Sequence, residues 1–409
     1  MLGLLCVLAG CLRGEVTSDR ADLAAEGASP VLAASASTMP AVSAPGPGTS
    51  SGAPEASSMA APPPEPSTEA ATEPHLPMPR PYRGRLGAAV ALNATCVSCH
   101  AEEAAAWRGS HHQRAHLNPA FREAFTIEPT AFCRGCHAPE ADPRKDPPAA
   151  VGQLGVACVT CHVTEEGSVL AATVPGTAPA APGGADLPAT VGMPHAVQRS
   201  PEFARTGGCV GCHEFRFPLA PGDEDAHFMQ TTVREHQRSP SAGKACAACH
   251  MPVVKGRRSH AFAEVRDPEW LRDHLRVTAA RVEEDTVRLT LVQTTPGHAF
   301  PTGDLFRRLE VGCELRRADG KVVRREVRHL ARHFEAVPGK PGRHLDRDDR
   351  VESAPKTVDI ELSVPPSAPP SDHIAWWVTY QRVATVGAGT DPSQARVESE
   401  VKLHAGVLR

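Results

Sequence analysis

Ten of the thirteen cysteines fall into five copies of one pattern, Cys-x-x-Cys-His, and this repetition constrains the chain more than any other feature. The copies are Cys96-Val-Ser-Cys99-His100, Cys133-Arg-Gly-Cys136-His137, Cys158-Val-Thr-Cys161-His162, Cys209-Val-Gly-Cys212-His213 and Cys246-Ala-Ala-Cys249-His250. Zinc needs two Cys pairs for one tetrahedral site, so five pairs divide badly, and zinc gives no reason for a His after every second Cys. A thioredoxin-like dithiol stands alone beside a βαβ pattern, which is absent, and a disulfide framework has irregular spacings. Covalent haem attachment accounts for every element of the pattern. Each thiol adds to a vinyl group, the two-residue gap matches the vinyl spacing, and the next His coordinates the iron. The reading is five c-type haems, with His100, His137, His162, His213 and His250 as proximal iron ligands.

Composition agrees. Lys plus Arg number 43 against 47 Asp plus Glu, a formal charge of -4 that leaves no footprint of a nucleic-acid binder. Aromatic residues make up 4% of the chain while Pro reaches 40 and Gly 33, so an ordinary aromatic core is missing and the macrocycles are expected to fill its place. No run of about 20 apolar residues exists, which excludes a polytopic membrane protein.

The N-terminal segment, residues 1–11, is apolar and ends in Leu8-Ala9-Gly10-Cys11, which resembles the lipobox of bacterial lipoproteins, with Cys11 as the lipidated residue. No Lys or Arg precedes the apolar run. Residues 12–86 read as a disordered tether. No Phe, Trp or Tyr occurs between Leu12 and Pro79, and Ala41–Arg80 holds ten prolines and eight alanines, too little apolar surface to offset ordering entropy. The expectation is an exported lipoprotein held at the periplasmic side of a membrane or at the cell surface by its lipid anchor.

The pentahaem region is placed at 87–266. What stands opposite each proximal His decides its chemistry, because an iron with two imidazoles carries electrons whereas an open iron can bind substrate. Fifteen of the twenty His remain outside the motifs, enough for full bis-His ligation. Cys96–His100 followed by Trp107-Arg-Gly-Ser110-His-His112 resembles the cytochrome c-554 and c-prime family, in which CxxCH precedes Trp, two residues, Ser, one residue and His. The resemblance implies that His112 is an iron ligand, with His111 and His116 as lesser alternatives. Gly155-Val-Ala-Cys158 and Met229–His236 leading into Cys246-Ala-Ala-Cys249-His250-Met251 also look like segments of multihaem cytochromes. Distal ligands are further expected at His195, at His260, and at His236 with His227 as its alternative. Met193, Met229 and Met251 are less favoured than His.

After Arg266 the motifs stop and period-two alternation begins, as in Leu275–Ala279, Val287–Val292 and Leu309–Leu315, which argues for half-buried antiparallel strands. Ala318-Asp319-Gly320 turns the chain into a strand from Lys321, and His373–Val383 and Ala395–His404 complete a sandwich-like domain, 267–409. The fold class is therefore α+β and multidomain, with a mainly helical and irregular haem-packed region ahead of an antiparallel β domain. A Gly- and Pro-shaped loop, Pro296–Leu309, resembles one found in C-terminal domains appended to multihaem cytochromes, and His298 within it is expected to ligate a haem. Arg307 and Arg308 are candidates for haem propionates or for a solvated strand face, and Cys313 reads as a buried thiol.

The functional expectation is electron transfer between respiratory partners, either redox proteins or a quinone-linked enzyme; the family resemblance implies the same role. The alternative is a reductase or oxidase of nitrite, hydroxylamine or tetrathionate at one open iron. All five motifs end in His, so a CxxCK site is missing, and the two tyrosines, Tyr82 and Tyr380, lie outside the motifs.

Overall fold

Helical periodicity brings the three reactive residues of each motif to one side of a turn, since residues three and four apart share a face. In the computed structural model the first motif closes the helix Gly87–Cys99, with His100 as its C-cap, and the others lie in Ala131–His137, Cys158–His162, Gly207–His213 and Cys246–His250. The structure describes residues 84–172 except 128, then 195, 197–217, 227–262, 267–336, 343–363, 369, 371–384 and 395–409. Cys11 and the tether up to residue 83 lie outside the described residues, as do Tyr82 and Met193.

The helices are short and turns connect them. Gly155 (φ 55°) is one turn where glycine is required, because a Cβ there would run into the backbone carbonyls of His112 and Gln113. That close approach lets the Val156 amide donate to the His112 carbonyl at 2.8 Å and the Trp107 indole donate to the Val156 carbonyl at 2.9 Å. The segment expected to hold His112 is thus tied to the third motif. Trp107 joins Ala89, Leu154, Ala157, Val159 and Val163 in a small buried cluster, and Ala138, Ala141 and Val151 form another. The apolar clusters of this region are few and composed largely of Ala and Val.

The segment from 275 onward packs differently. Val322–Leu330, Arg307–Arg316, His373–Val383 and Val397–Leu408 form a four-stranded antiparallel sheet in that order. Lys356–Glu361, Thr286–Gln293 and Leu275–Arg281 form a three-stranded antiparallel sheet, and Arg332–Ala336 pairs with Arg343–Asp348. One hydrophobic core spans the two larger sheets. Val287, Leu289 and Leu291 alternate inward from one, and Leu309, Val311, Cys313 and Leu315 from the other, as the two-residue side-chain period requires. The burial raises the Cys313 thiol to about 12, so it stays protonated. The strands read from the sequence are present, while Arg332–Ala336, Arg343–Asp348 and Lys356–Glu361 are additions that charge-rich composition had hidden. The helix Pro268–His274 enters this region, capped by the Asp267 carboxylate, which accepts from the Glu269 and Trp270 amides.

On the other face of the four-stranded sheet, Glu310 accepts from the Trp377 indole at 2.8 Å and the Gln381 amide at 3.0 Å, with His329 at 3.7 Å. His329 foremost, then these two donors, hold the Glu310 carboxyl at about 2 against the opposing effect of burial. Because the folded value lies below the ordinary 4.5, this stabilisation is complete above about pH 4.5 and is lost as pH falls towards 2. Thermal denaturation between those limits should show a shallower acid limb for Glu310→Gln than for the wild type. Leu309→Ala, which removes a fully buried side chain from the sandwich, should destabilise the β region by about 2–5 kcal/mol in denaturant titrations.

Candidate haem-binding sites

Four of the five motif histidines face a second imidazole at nearly the same separation. Ring centroids are 6.4 Å apart for His100 and His195, 6.0 Å for His213 and His112, 6.1 Å for His162 and His260, and 6.1 Å for His250 and His298. A metal–imidazole bond is about 2.0 Å and the ring centre lies roughly 1.1 Å behind the nitrogen, so two imidazoles on opposite sides of one metal have centroids about 6 Å apart. The spacing fits an iron between each pair. Interplanar angles run from 14° for His250 and His298 to 83° for His112 and His213.

Hydrogen bonding fixes which nitrogen each ring can offer. Nδ1 of His137 bonds the Ala115 carbonyl at 2.8 Å, and Nδ1 of His162 that of Leu170 at 2.9 Å. Nδ1 of His260 bonds the Arg258 carbonyl at 3.0 Å, and Nδ1 of His298 that of Ala299 at 2.9 Å. A ring that donates from Nδ1 presents the lone pair of Nε2, the form a metal needs. Burial also keeps several rings neutral. It pushes His112 down to about 3, aided by His213, and His250 down to about 4, aided by His298.

The motifs also meet one another. The Cys136 thiol contacts that of Cys212, and the Cys209 thiol that of Cys246. The helix holding Cys96 and Cys99 packs against the one holding Cys158 and Cys161. The eleven described cysteines are all free thiols, so the ten motif thiols remain available for thioether bonds. Orphaned polar atoms accompany them: Nδ1 of His116 and of His227 are buried without a hydrogen-bond partner.

His137 differs. Its ring stacks on Phe121 at 3.8 Å with an interplanar angle of 7°, and among the described residues no imidazole stands about 6 Å from it. Burial holds His137 low, opposed by its Ala115 hydrogen bond and by Asp304, while Arg382 and His116 add to the lowering. Phe121 lies 6.0 Å from the His116 ring as well.

The ligand expected at His236 and the solvated strand face offered for Arg308 are corrected. His236 faces the Gly297 carbonyl with Nδ1 at 2.8 Å and the Lys244 carbonyl with Nε2 at 2.9 Å, so neither nitrogen is turned to an iron; the ring is committed to backbone. Arg307 donates to the Tyr380 hydroxyl at 3.1 Å and Arg308 to Gln381 at 2.9 Å. Arg308 is 5% exposed, so it is not a solvated strand face. His260, ten residues after His250, pairs with His162 of the third motif. Sequence proximity to the fifth motif carried no information about that partner.

One buried carboxylate near these sites escaped the sequence reading. The Glu235 carboxylate accepts from Thr231 at 2.6 Å, Thr302 at 2.6 Å, the Ala299 amide at 3.2 Å and Arg350 at 2.7 Å. Arg350 also donates to Asp348 at 2.6 Å. Nothing in the local pattern around Glu235 marks it, because all its partners but Thr231 lie 64 to 115 residues away.

Residues 95–163, which hold the first three motifs, match the family model described as cytochrome c554 and c-prime. The fold is similar to the crystal structure of a penta-heme cytochrome c552 from Thermochromatium tepidum, with TM-score 0.56 and 18% identity, covering 80% of this chain and 99% of that one. MtrC from Shewanella baltica (TM-score 0.16, 11% identity, 49% and 35% of the two chains) and an endonuclease/exonuclease/phosphatase from Beutenbergia cavernae (0.14, 15%, 33% and 23%) superpose too poorly to bear on it. No curated protein sequence matches the chain. The family match covers residues 95–163 and the likeness to the penta-heme cytochrome is one of fold; with paired imidazoles beside four of the motifs, they support a multihaem c-type cytochrome region followed by a β-rich C-terminal region.

Proposed function

We propose that this protein is a membrane-tethered pentahaem cytochrome that passes electrons between respiratory partners, either redox proteins or a quinone-linked enzyme. The observation that carries the reading is the set of four imidazole pairs 6.0–6.4 Å apart. The proposed axial pairs are His100 with His195, His162 with His260, His213 with His112 and His250 with His298. Attachment is through Cys96 and Cys99, Cys133 and Cys136, Cys158 and Cys161, Cys209 and Cys212, and Cys246 and Cys249.

Covalently held haem supplies a one-electron iron couple whose potential is set by axial ligands, burial and nearby charge. The chain's own residues do the rest. The cysteines fix position, the Nδ1-to-carbonyl bonds fix ring orientation and tautomer, and burial lowers the pKa of His112, His162, His213, His250 and His298. Contacts between motif thiols support short distances between neighbouring groups. Tethering rests on the lipobox-like Leu-Ala-Gly-Cys11, and export to the periplasmic side follows from the same segment, since c-type attachment and lipidation both belong outside the cytoplasm.

A second reading is favoured by the surroundings of His137. With Phe121 stacked on its ring, the iron held there is the candidate for an open position that binds a small nitrogen or sulfur compound.

Pyridine haemochrome quantitation of the mature protein should give five haems per chain, and four or fewer would defeat the attachment scheme. Ferric EPR then separates the two readings. All low-spin haems support pure electron transfer. One high-spin haem responding to nitrite, hydroxylamine or nitric oxide, and lost in His137→Ala, assigns a reactive site to that motif. Labelling with a radioactive fatty acid should mark the wild type and not Cys11→Ser.

A further inference from the structure

We propose that Glu235 and His236 are positioning residues that clamp the β-region loop carrying His298 and so hold that ring against His250. The inference rests on the proposed ligation by His298. Both residues sit on the helix Thr232–Arg238 of the cytochrome region, and together they bracket His298 through its two chain neighbours. His236 Nδ1 donates to the carbonyl of Gly297, on one side, at 2.8 Å. Glu235 Oε2 accepts from the amide of Ala299, on the other side, at 3.2 Å.

The bracket is itself anchored. The same Glu235 oxygen accepts from the Thr302 hydroxyl at 2.6 Å, and Oε1 accepts from Thr231, the N-cap of its helix, at 2.6 Å. The Thr302 hydroxyl also lies 3.0 Å from that of Thr232. Arg350 closes the arrangement, reaching Glu235 at 2.7 Å, Asp348 at 2.6 Å and the Pro301 carbonyl at 3.2 Å. The Glu235 and Arg350 side chains are 9% and 4% exposed, so their pairing is shielded from water. From the β side, the Gln293 amide holds the His298 carbonyl at 2.8 Å.

The physical need is clear. The other distal rings belong to the cytochrome region, whereas His298 projects from a loop between two β-region strands with no helix of its own to orient it. A loop left free would sample many positions, and each productive one would carry an entropic penalty. Fastening residues 297, 299 and 302 to one helix of the opposite region removes that freedom before a ligand bond forms. A carboxylate that satisfies four donors does this with directional, charge-assisted bonds.

The test uses the full-length haem-loaded protein and carbon monoxide, which reports on the dissociation of an axial ring from reduced iron. His298→Ala should create one carbon monoxide-binding haem beyond those of the wild type. Glu235→Gln, which keeps the shape of the side chain but not its charge, should let carbon monoxide capture that haem at least about tenfold faster than in the wild type. Glu235→Ala should show it as a high-spin ferric signal that added imidazole converts to low spin. If His298→Ala gains the new binding haem while both Glu235 variants capture carbon monoxide at the wild-type rate, the clamp is overturned and ligation stands. If His298→Ala gains none, the ligation itself fails and the clamp with it. Should Glu235→Ala not accumulate, the capture rate of Glu235→Gln alone decides.

Discussion

Pairs of imidazoles held about 6 Å apart are the interaction around which the cytochrome region is organised. Each pair joins a ring on a short motif helix to a ring delivered from elsewhere in the chain. Backbone carbonyls fix several of these rings through Nδ1, and burial keeps His112, His137, His162, His213, His250 and His298 below their ordinary pKa. The rings are thereby prepared as ligands by the polypeptide. A protonated imidazole has no lone pair to give, so dryness is a functional requirement of the site as much as a packing result.

Two kinds of interior follow. In the cytochrome region the buried apolar clusters are small and rich in Ala and Val, which leaves the work of a core to covalently held macrocycles. The β region builds its own core from Leu, Ile and Val on two facing sheets. An ionic and hydrogen-bonded joint centred on Glu235 and Arg350 helps fasten one to the other, beside the Arg332 bonds to the Phe228 and Met229 carbonyls and the Phe217–Phe334 contact. The same joint lies beside His298, so the docking of the regions and the geometry of one iron pair are coupled.

Much of this was legible in advance. The CxxCH spacing is a chemical requirement of attachment, so the five motifs could be read without any fold. Alternation revealed Leu275–Arg281, Thr286–Gln293, Arg307–Arg316 and His373–Val383, because a strand with one buried face writes its period into the sequence. Arg332–Ala336 and Arg343–Asp348 escaped, since a two-stranded ribbon rich in charge buries too little to leave that mark. His236 was misread for a related reason: a His near a motif looks the same whether its nitrogens meet iron or carbonyl oxygen.

The sequence by itself determined the attachment chemistry, the supply of imidazoles and the change from helical to alternating structure, because each depends on residue type and short-range spacing. Only the tertiary structure decided which ring faces which. His260 meets His162 and not the nearer His250, His298 crosses from the β region to His250, and His137 meets Phe121. Those partnerships arise from chain reversals and interregion contacts over tens of residues, up to about a hundred. No local pattern encodes them, because the free energy that selects them belongs to the packed whole.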